Sequence, residues 1–445
     1  MKFATRPRGR RFALGLLPTF LVLASCAPEE PSVPSDFEIV ELARGIHERV
    51  ITLDTHVDIN AGNFTPERNY THDLPTQVTL PKMEEGGLDA AFFIVYVGQG
   101  PLTPDGYRDA HAAAIEKFDA IHRLTDPIAP DRIGLALTSD DVRRIAGEGR
   151  KVALIGVENA YQLGTDLASF ADFHARGARY VSLAHNGHSQ FSDSNTGESD
   201  GVFLHGGLSD LGRQAVAEMN RLGIMIDISH PSKPSIMQTL ELSRAPVIAS
   251  HSSARALNDV SRNLDDEQLL AVRDNGGVVQ TVAFRSYLDS EKNTAYQQAL
   301  DALYGDVALE MGFEMLGRGE LFQLSPEERE AYQERMAQVR ALAEPRLAEE
   351  VYAVAPPVDV GDFVDHVDYL VDLIGLEHVG ISSDFDGGGG VEGWSDAAET
   401  FNVTLELVRR GYDEREIGML WSGNLLRVLD DVQRVAAEIQ AAGGA

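Results

Sequence analysis

Ile224-Met225-Ile226-Asp227-Ile228-Ser229-His230 is the stretch on which the reading of this chain turns. A short β-branched apolar run with few polar interruptions reads as a strand buried on both faces, as in a parallel sheet. It closes on a polar cluster that ends in histidine. A longer helix-like segment follows, and then Val247-Ile248-Ala249 leads into Ser250-His251 in the same way. Upstream, Val50-Ile51-Thr52-Leu53 precedes Asp54-Thr55-His56, Val152 to Val157 precedes Glu158, and Tyr180-Val181-Ser182-Leu183 precedes His185. Ala90 to Val97, Val278 to Val282, and His378 to Ser382 before Asp384 complete the series. Eight apolar runs separated by helical stretches predict an α/β chain folded as a (β/α)8, or TIM, barrel. The competing open doubly wound sheet lacks its mark, because no Gly-x-Gly-x-x-Gly follows any run.

Side chains that do chemistry in such a barrel project from the carboxyl ends of several strands. Read at those ends, the chain offers His56, Asp58, Glu158, His185, His230, His251 and Asp384. One histidine beside a strand is ordinarily a core or surface residue. Four histidines and three acids at the ends of several runs form the donor set of a zinc-like divalent site, with no thiolate among them. Asp54 reads as a loop cap. The remaining histidines, His47, His72, His111, His122, His174, His188, His205, His366 and His378, read as background.

Several motifs together resemble the membrane dipeptidase (renal dipeptidase) family, a metallopeptidase branch of the amidohydrolase-like barrels. They are Asp54-Thr55-His56-Val57-Asp58, Gly156-Val157-Glu158-Asn159, Leu183-Ala184-His185-Asn186, and the run from Gly207 to His230. Ser250-His251-Ser252-Ser253-Ala254-Arg255, Ser261-Arg262-Asn263-Leu264, Gly380 to Gly387 and Ser422 to Val428 follow in order. The likeness spans about residues 45–430. It implies a distorted barrel of the metal-dependent hydrolase type and hydrolysis of dipeptides to free amino acids, those with a C-terminal D-residue included. It implies two Zn2+ ions, one on His56 and Asp58, the other on His230 and His251, with Glu158 bridging. His185 would meet the substrate carbonyl, Arg262 the terminal carboxylate, and Asp384 would handle the proton. A homodimer follows from the resemblance alone. Two such ions acidify a shared water and polarise the scissile carbonyl. Barrels of the phosphotriesterase type bridge their metals with a carbamylated lysine, and here no lysine ends a strand.

The amino terminus adds a location. Residues 1–25 hold five basic residues and no acid, and an apolar run from Phe12 to Ala24 follows the basic stretch, as in a signal peptide. The segment ends Leu23-Ala24-Ser25-Cys26, which resembles a bacterial lipobox. Cys26 is the only cysteine, so no disulfide can form within the chain. The expectation is a lipoprotein signal over residues 1–25, lipidation at Cys26, a Pro-rich tether over 26–40 and the barrel over 41–445. The protein would then be lipid-anchored at the cell envelope, on the periplasmic face of the outer membrane in a Gram-negative cell. A charged stretch at about 286–357 breaks the strand–helix rhythm and predicts a helical insertion. The net charge of −31 over 445 residues disfavours nucleic acid as a partner. Two other functions remain open on sequence: a different binuclear amide or lactone hydrolase, and a non-catalytic envelope lipoprotein that binds peptides or metal.

Overall fold

A computed structural model describes residues 35–443 apart from Phe322. The signal segment, Cys26 and most of the tether lie outside the described residues. Within them residues 36–40, expected to belong to the tether, are the start of the helix Asp36–His47. Ser35 caps that helix reciprocally with Glu38, a Ser-x-x-Glu box visible in the sequence.

All strand pairing is parallel. The strands are β1 (Leu53–Asp58), β2 (Ala90–Tyr96), β3 (Ile133–Leu135), β4 (Lys151–Glu158), β5 (Ala178–Ser182), β6 (Met225–Asp227), β7 (Ile248–Ala249), β8 (Val278–Val282) and β9 (Val379–Ser382). Eight of them run in the order β1-β2-β4-β5-β6-β7-β8-β9, while the short β3 pairs only with β4. The sequence reading misses β3, since three residues are too few to show a period. The seam between β9 and β1 is closed by a bridge from Val57 to Phe385, with Asp58 N–H donating to Phe385 O at 2.9 Å and the Thr55 hydroxyl to Ile381 O at 2.9 Å. The result is the expected distorted (β/α)8 barrel.

Most strands divide their apolar residues between two cores, as the period of two requires, while β3 and β9 contribute to one only. Phe92, Ile94, Val152, Leu154, Met225, Ile248 and Val278 pack with Leu425, Val428 and Val432 of the C-terminal helix Asn424–Gly443. Phe93, Val95, Ile155, Val157 and Val181 join the larger core beneath the flanking helices. The predicted insertion is helical. Ser290–Glu310 and Pro326–Ala343 pack on each other through Leu303, Val307, Val339 and Ala343, a small core of their own. No helix among the described residues is long and apolar enough to cross a membrane.

The first strand differs from the sequence reading in a way that matters for function. It begins at Leu53 rather than Val50 and runs on through Asp58, so His56 and Asp58 belong to the strand itself. Its register against β2 goes from Asp54↔Ala91 to Val57↔Phe93, placing Thr55 and His56 opposite one residue. Without that bulge Asp58 would pair with Val95, a residue turned toward the helices. With it, Asp58 pairs with Ile94 and faces the interior.

Candidate metal centre

Seven side chains from six strand ends meet at the carboxyl end of the barrel, around Glu158. Glu158, the last residue of β4, is buried, and its two carboxylate oxygens divide the surrounding rings. Oε2 faces His56 Nε2 at 3.6 Å. Oε1 faces His230, His251 and His185 Nε2 at 3.0, 3.4 and 3.8 Å. Asp58 Oδ2 lies 3.8 Å from His56 Nε2, and His56, Asp58 and Asp384 present atoms close enough to share an ion. So do His56, Glu158 and His251, and likewise Glu158, His185 and His230. Every strand-end residue singled out in the sequence is therefore in one cluster. The background histidines expected to be structural include His47 and His366, which are buried on backbone or hydroxyl partners away from it.

The hydrogen bonds behind the rings fix what each presents to the centre. Tyr180 OH donates to Thr55 O at 3.0 Å, so it accepts from His56 Nδ1–H, also at 3.0 Å. Ser250 Oγ donates to Asp227 Oδ2 at 2.7 Å and so accepts from His251 Nδ1–H at 2.8 Å. Asn186 Oδ1, 3.3 Å from His230 Nδ1, can only accept. All three histidines are thereby left with a bare Nε2 lone pair turned inward, the form in which imidazole binds a metal. His185 differs. Its Nδ1 stands 3.3 Å from Tyr96 OH, which has no competing acceptor among the described residues, so the phenol can donate and leave Nε2–H free.

These donors fit a cation. His56 Nε2 is buried with no hydrogen-bond partner, and the His230 and His251 Nε2 atoms face each other at 3.0 Å. Lone pairs so placed repel unless a positive charge lies among them. Protons can do part of that work. Burial opposes charge on His56, but Glu158, Asp384 and Asp58 outweigh it and push its pKa up to about 10. Burial, with Asp58 and Glu158 adding to it, raises Asp384 to about 8 against the pull of His56 and Arg262. Burial lowers His230 and His251, and the nearby Arg262 charge lowers them further. Glu158 is buried, yet His56 and His185 hold it well below the carboxylate range.

Backbone geometry is unusual at this place too. The non-glycine residues with positive φ among those described are Asn159, His230, Asp384 and Asp386, all at or next to the cluster. Arg262 is buried behind the His230–His251 side. Its Nη2 donates to His251 O at 3.2 Å, its guanidinium lies 5.2 Å from the Tyr287 ring centre, and its Nε has no partner.

A cavity of about 560 Å3 opens onto the cluster. Sequence reading missed several of its residues. Tyr96 ends β2 directly beside Glu158 in register, which its place at a strand end could have signalled. Lys117 comes from the helix Pro104–Arg123, and Tyr287 from the short helix Arg285–Leu288 at the start of the insertion. Nothing in the local sequence marks either one. Tyr180, likewise missed, can reach His56 because Gly156 leaves room: a Cβ there would strike the Tyr180 ring.

Comparison with known proteins agrees with this geometry. The family model for membrane dipeptidase, peptidase family M19, matches residues 40–443. Dipeptidase aclJ of Aspergillus oryzae is 30% identical over 427 residues, which cover 91% of this chain and 86% of that protein. Dipeptidase tcpJ of Claviceps purpurea is 31% identical over 376 residues, covering 82% and 72%. The crystal structure of the probable dipeptidase PvdM from Pseudomonas aeruginosa superimposes with a TM-score of 0.73 at 32% identity, covering 90% of this chain and 100% of that one.

Proposed function

Because this chain belongs to the membrane dipeptidase family of metallopeptidases, we propose that it hydrolyses free dipeptides to amino acids with two zinc ions held about Glu158, dipeptides with a C-terminal D-residue included. The observation that carries this reading is the set of three bare Nε2 lone pairs converging on one buried carboxylate, beside a buried guanidinium with an unpartnered N–H. His56 and Asp58 would hold one ion and His230 and His251 the other, with Glu158 serving both. Bound there, the ions supply a Lewis acid for the scissile carbonyl and lower the pKa of a water shared between them.

The chain's own groups account for the rest. Arg262 offers a planar fork for the substrate's terminal carboxylate, a match that a longer peptide or an amide cannot make. His185 Nε2–H, set by Tyr96, can donate to the oxyanion that develops on the attacked carbonyl. Asp384 faces the same space. Its carboxylate takes the proton from the attacking water and passes it to the leaving amine, so the C–N bond breaks to a neutral amino group. Nearby dications favour the ionised form it needs, against the burial that raises it.

The inclusion of C-terminal D-residues rests on the expected location. A lipid-anchored protein at the envelope would meet peptidoglycan fragments, and cleavage of L,L-dipeptides only would refute it. Lipidation at Cys26 is part of the same proposal. Substituting Cys26→Ala should move the protein from the membrane fraction to the soluble one, and unchanged partitioning would refute the anchor. A homodimer is carried over from the family and is read from the mass in solution.

The deciding experiment uses protein beginning after residue 26. L-Ala-L-Ala, L-Ala-D-Ala and Gly-L-Leu are compared with N-acetylated and C-amidated controls, before and after chelation and after zinc is restored. Zinc-dependent cleavage of the free dipeptides but not of the amide is expected. Equal cleavage of the amide would point to a general amidase, and no cleavage with two ions bound would leave a binding protein.

A further inference from the structure

Lys117 is the feature of the cavity that the mechanism leaves unused. It is half-buried, it lines the cavity, and among the described residues its ammonium has no ion-pair partner. It sits 5.6 Å from the ring centre of Tyr96. It reaches the cavity beside Tyr96 at the end of β2, whereas Arg262 donates to His251 O after β7, four strands further round the barrel. The two cations thus stand at opposite ends of the cluster.

This end also carries an unmet donor. Tyr70 is fully buried and lines the same cavity, yet its hydroxyl has no hydrogen-bond partner. Its ring is wedged against Phe64 and Phe93 at 4.5 and 6.0 Å between centres, so it cannot swing away to find one. Asn60, Asn63 and Thr76 complete a polar wall. A buried unpartnered hydroxyl and an unpaired ammonium facing one space are unfavourable unless a ligand meets them.

We propose that this wall is the pocket for the side chain of the dipeptide's N-terminal residue, and that Lys117 and Tyr70 select a carboxylate there, making N-terminal Asp or Glu dipeptides the preferred substrates. The inference rests on the dipeptidase reading above. With the terminal carboxylate at Arg262 and the scissile carbonyl at the centre, the N-terminal residue extends toward Asp58. A cation at that end repels the substrate's own ammonium, a cost that a carboxylate on the same residue offsets. With two dications bound, the charges of Asp58, Glu158 and Asp384 are largely neutralised; Asp386, the remaining acid of the cavity, is tied up by the Gln77 and Val78 amides, and Lys117 and Arg262 are the positive groups that an anionic substrate with two carboxylates would match.

The test compares L-Glu-L-Ala, L-Gln-L-Ala and L-Lys-L-Ala on the zinc-loaded protein, with bound zinc measured for every variant. Glu and Gln differ by the charge alone. The expected kcat/KM ratio of Glu to Gln is about ten or more, the factor that about 1.4 kcal/mol of selective binding gives. Lys117→Met should bring that ratio close to one, and Lys117→Glu should turn the preference toward L-Lys-L-Ala. A wild-type ratio near one overturns the proposal, as does a ratio that survives in Lys117→Met. Loss of zinc from Lys117→Met with all three substrates falling equally also overturns it, since Lys117 would then only support Asp58. If wild-type protein cleaves no dipeptide at all, the dipeptidase reading itself fails and this inference falls with it.

Discussion

Replacing Ser250 by alanine isolates the link between a buried hydroxyl and one metal site. Ser250 Oγ accepts from His251 Nδ1–H at 2.8 Å and donates to Asp227 Oδ2 at 2.7 Å, and all three side chains are fully buried. Asp227 Oδ1 keeps its bonds from the Ser229 and Ser250 amides, both 2.9 Å, but Oδ2 and the imidazole N–H each lose a partner. Nothing then holds His251 in the tautomer with a bare Nε2. Removing such an outer partner lowers metal affinity by about 10- to 100-fold, which is about 1.4–2.7 kcal/mol. The two stranded polar groups cost about 2–6 kcal/mol of folding stability in addition. Titration against a chromophoric chelator reads the affinities, and urea unfolding reads the stability. One of the two bound equivalents should weaken by that factor while the other stays within about threefold of wild type. Ser252→Ala is the control: it removes a buried hydroxyl bonded to Ser229 at 3.1 Å and not to the His251 ring, so stability falls without the selective metal effect. If both equivalents keep wild-type affinity in Ser250→Ala, or both fall together, the assignment of His251 to one ion through this relay is wrong.

Three other outcomes follow from the same geometry. Arg262→Met should lower kcat/KM for free dipeptides by about 10^2- to 10^3-fold, in line with loss of a buried charge-assisted contact, and abolish discrimination against C-terminal amides; retained discrimination in steady-state assays would count against the carboxylate role. Metal uptake at pH 7 should release at least two protons, because without ions the site holds one on His56, raised to about 10, and one on Asp384, raised to about 8, and a metal-acidified water adds to them. Both values lie above pH 7, so affinity rises with pH toward them and falls about tenfold per unit per proton as pH drops; calorimetry in buffers of different ionisation enthalpy measures the release, and none detected would refute it. Gly156→Ala should destabilise the fold by about 1–3 kcal/mol and weaken metal binding together, since the new methyl displaces Tyr180 and with it the anchor of His56. Unchanged metal affinity in a folded Gly156→Ala protein would show that Tyr180 does not set His56.

The chain's pattern by itself determined the barrel and most of the centre. A parallel strand buried on both faces is apolar along most of its length, so the runs stand out locally and the ligand-type residues follow where they stop; β1 is the exception, since the run over residues 50–53 ends where the strand begins. His56, Asp58, Glu158, His185, His230, His251 and Asp384 were legible for that reason. The resemblance then assigned them roles that composition and spacing could not. Other features depended on parts of the chain far apart in sequence. The bulge that turns Asp58 inward exists only in the register between β1 and β2. The tautomers of His56 and His251 are set by Tyr180 from β5 and by Asp227 from β6, which reaches His251 through Ser250. Lys117 and Tyr70 look like ordinary residues of a helix and a loop until the fold turns both toward one cavity. Local sequence can fix what a segment is, because that depends on its own backbone and burial; which hydroxyl faces which imidazole is decided only when separate strands are brought side by side.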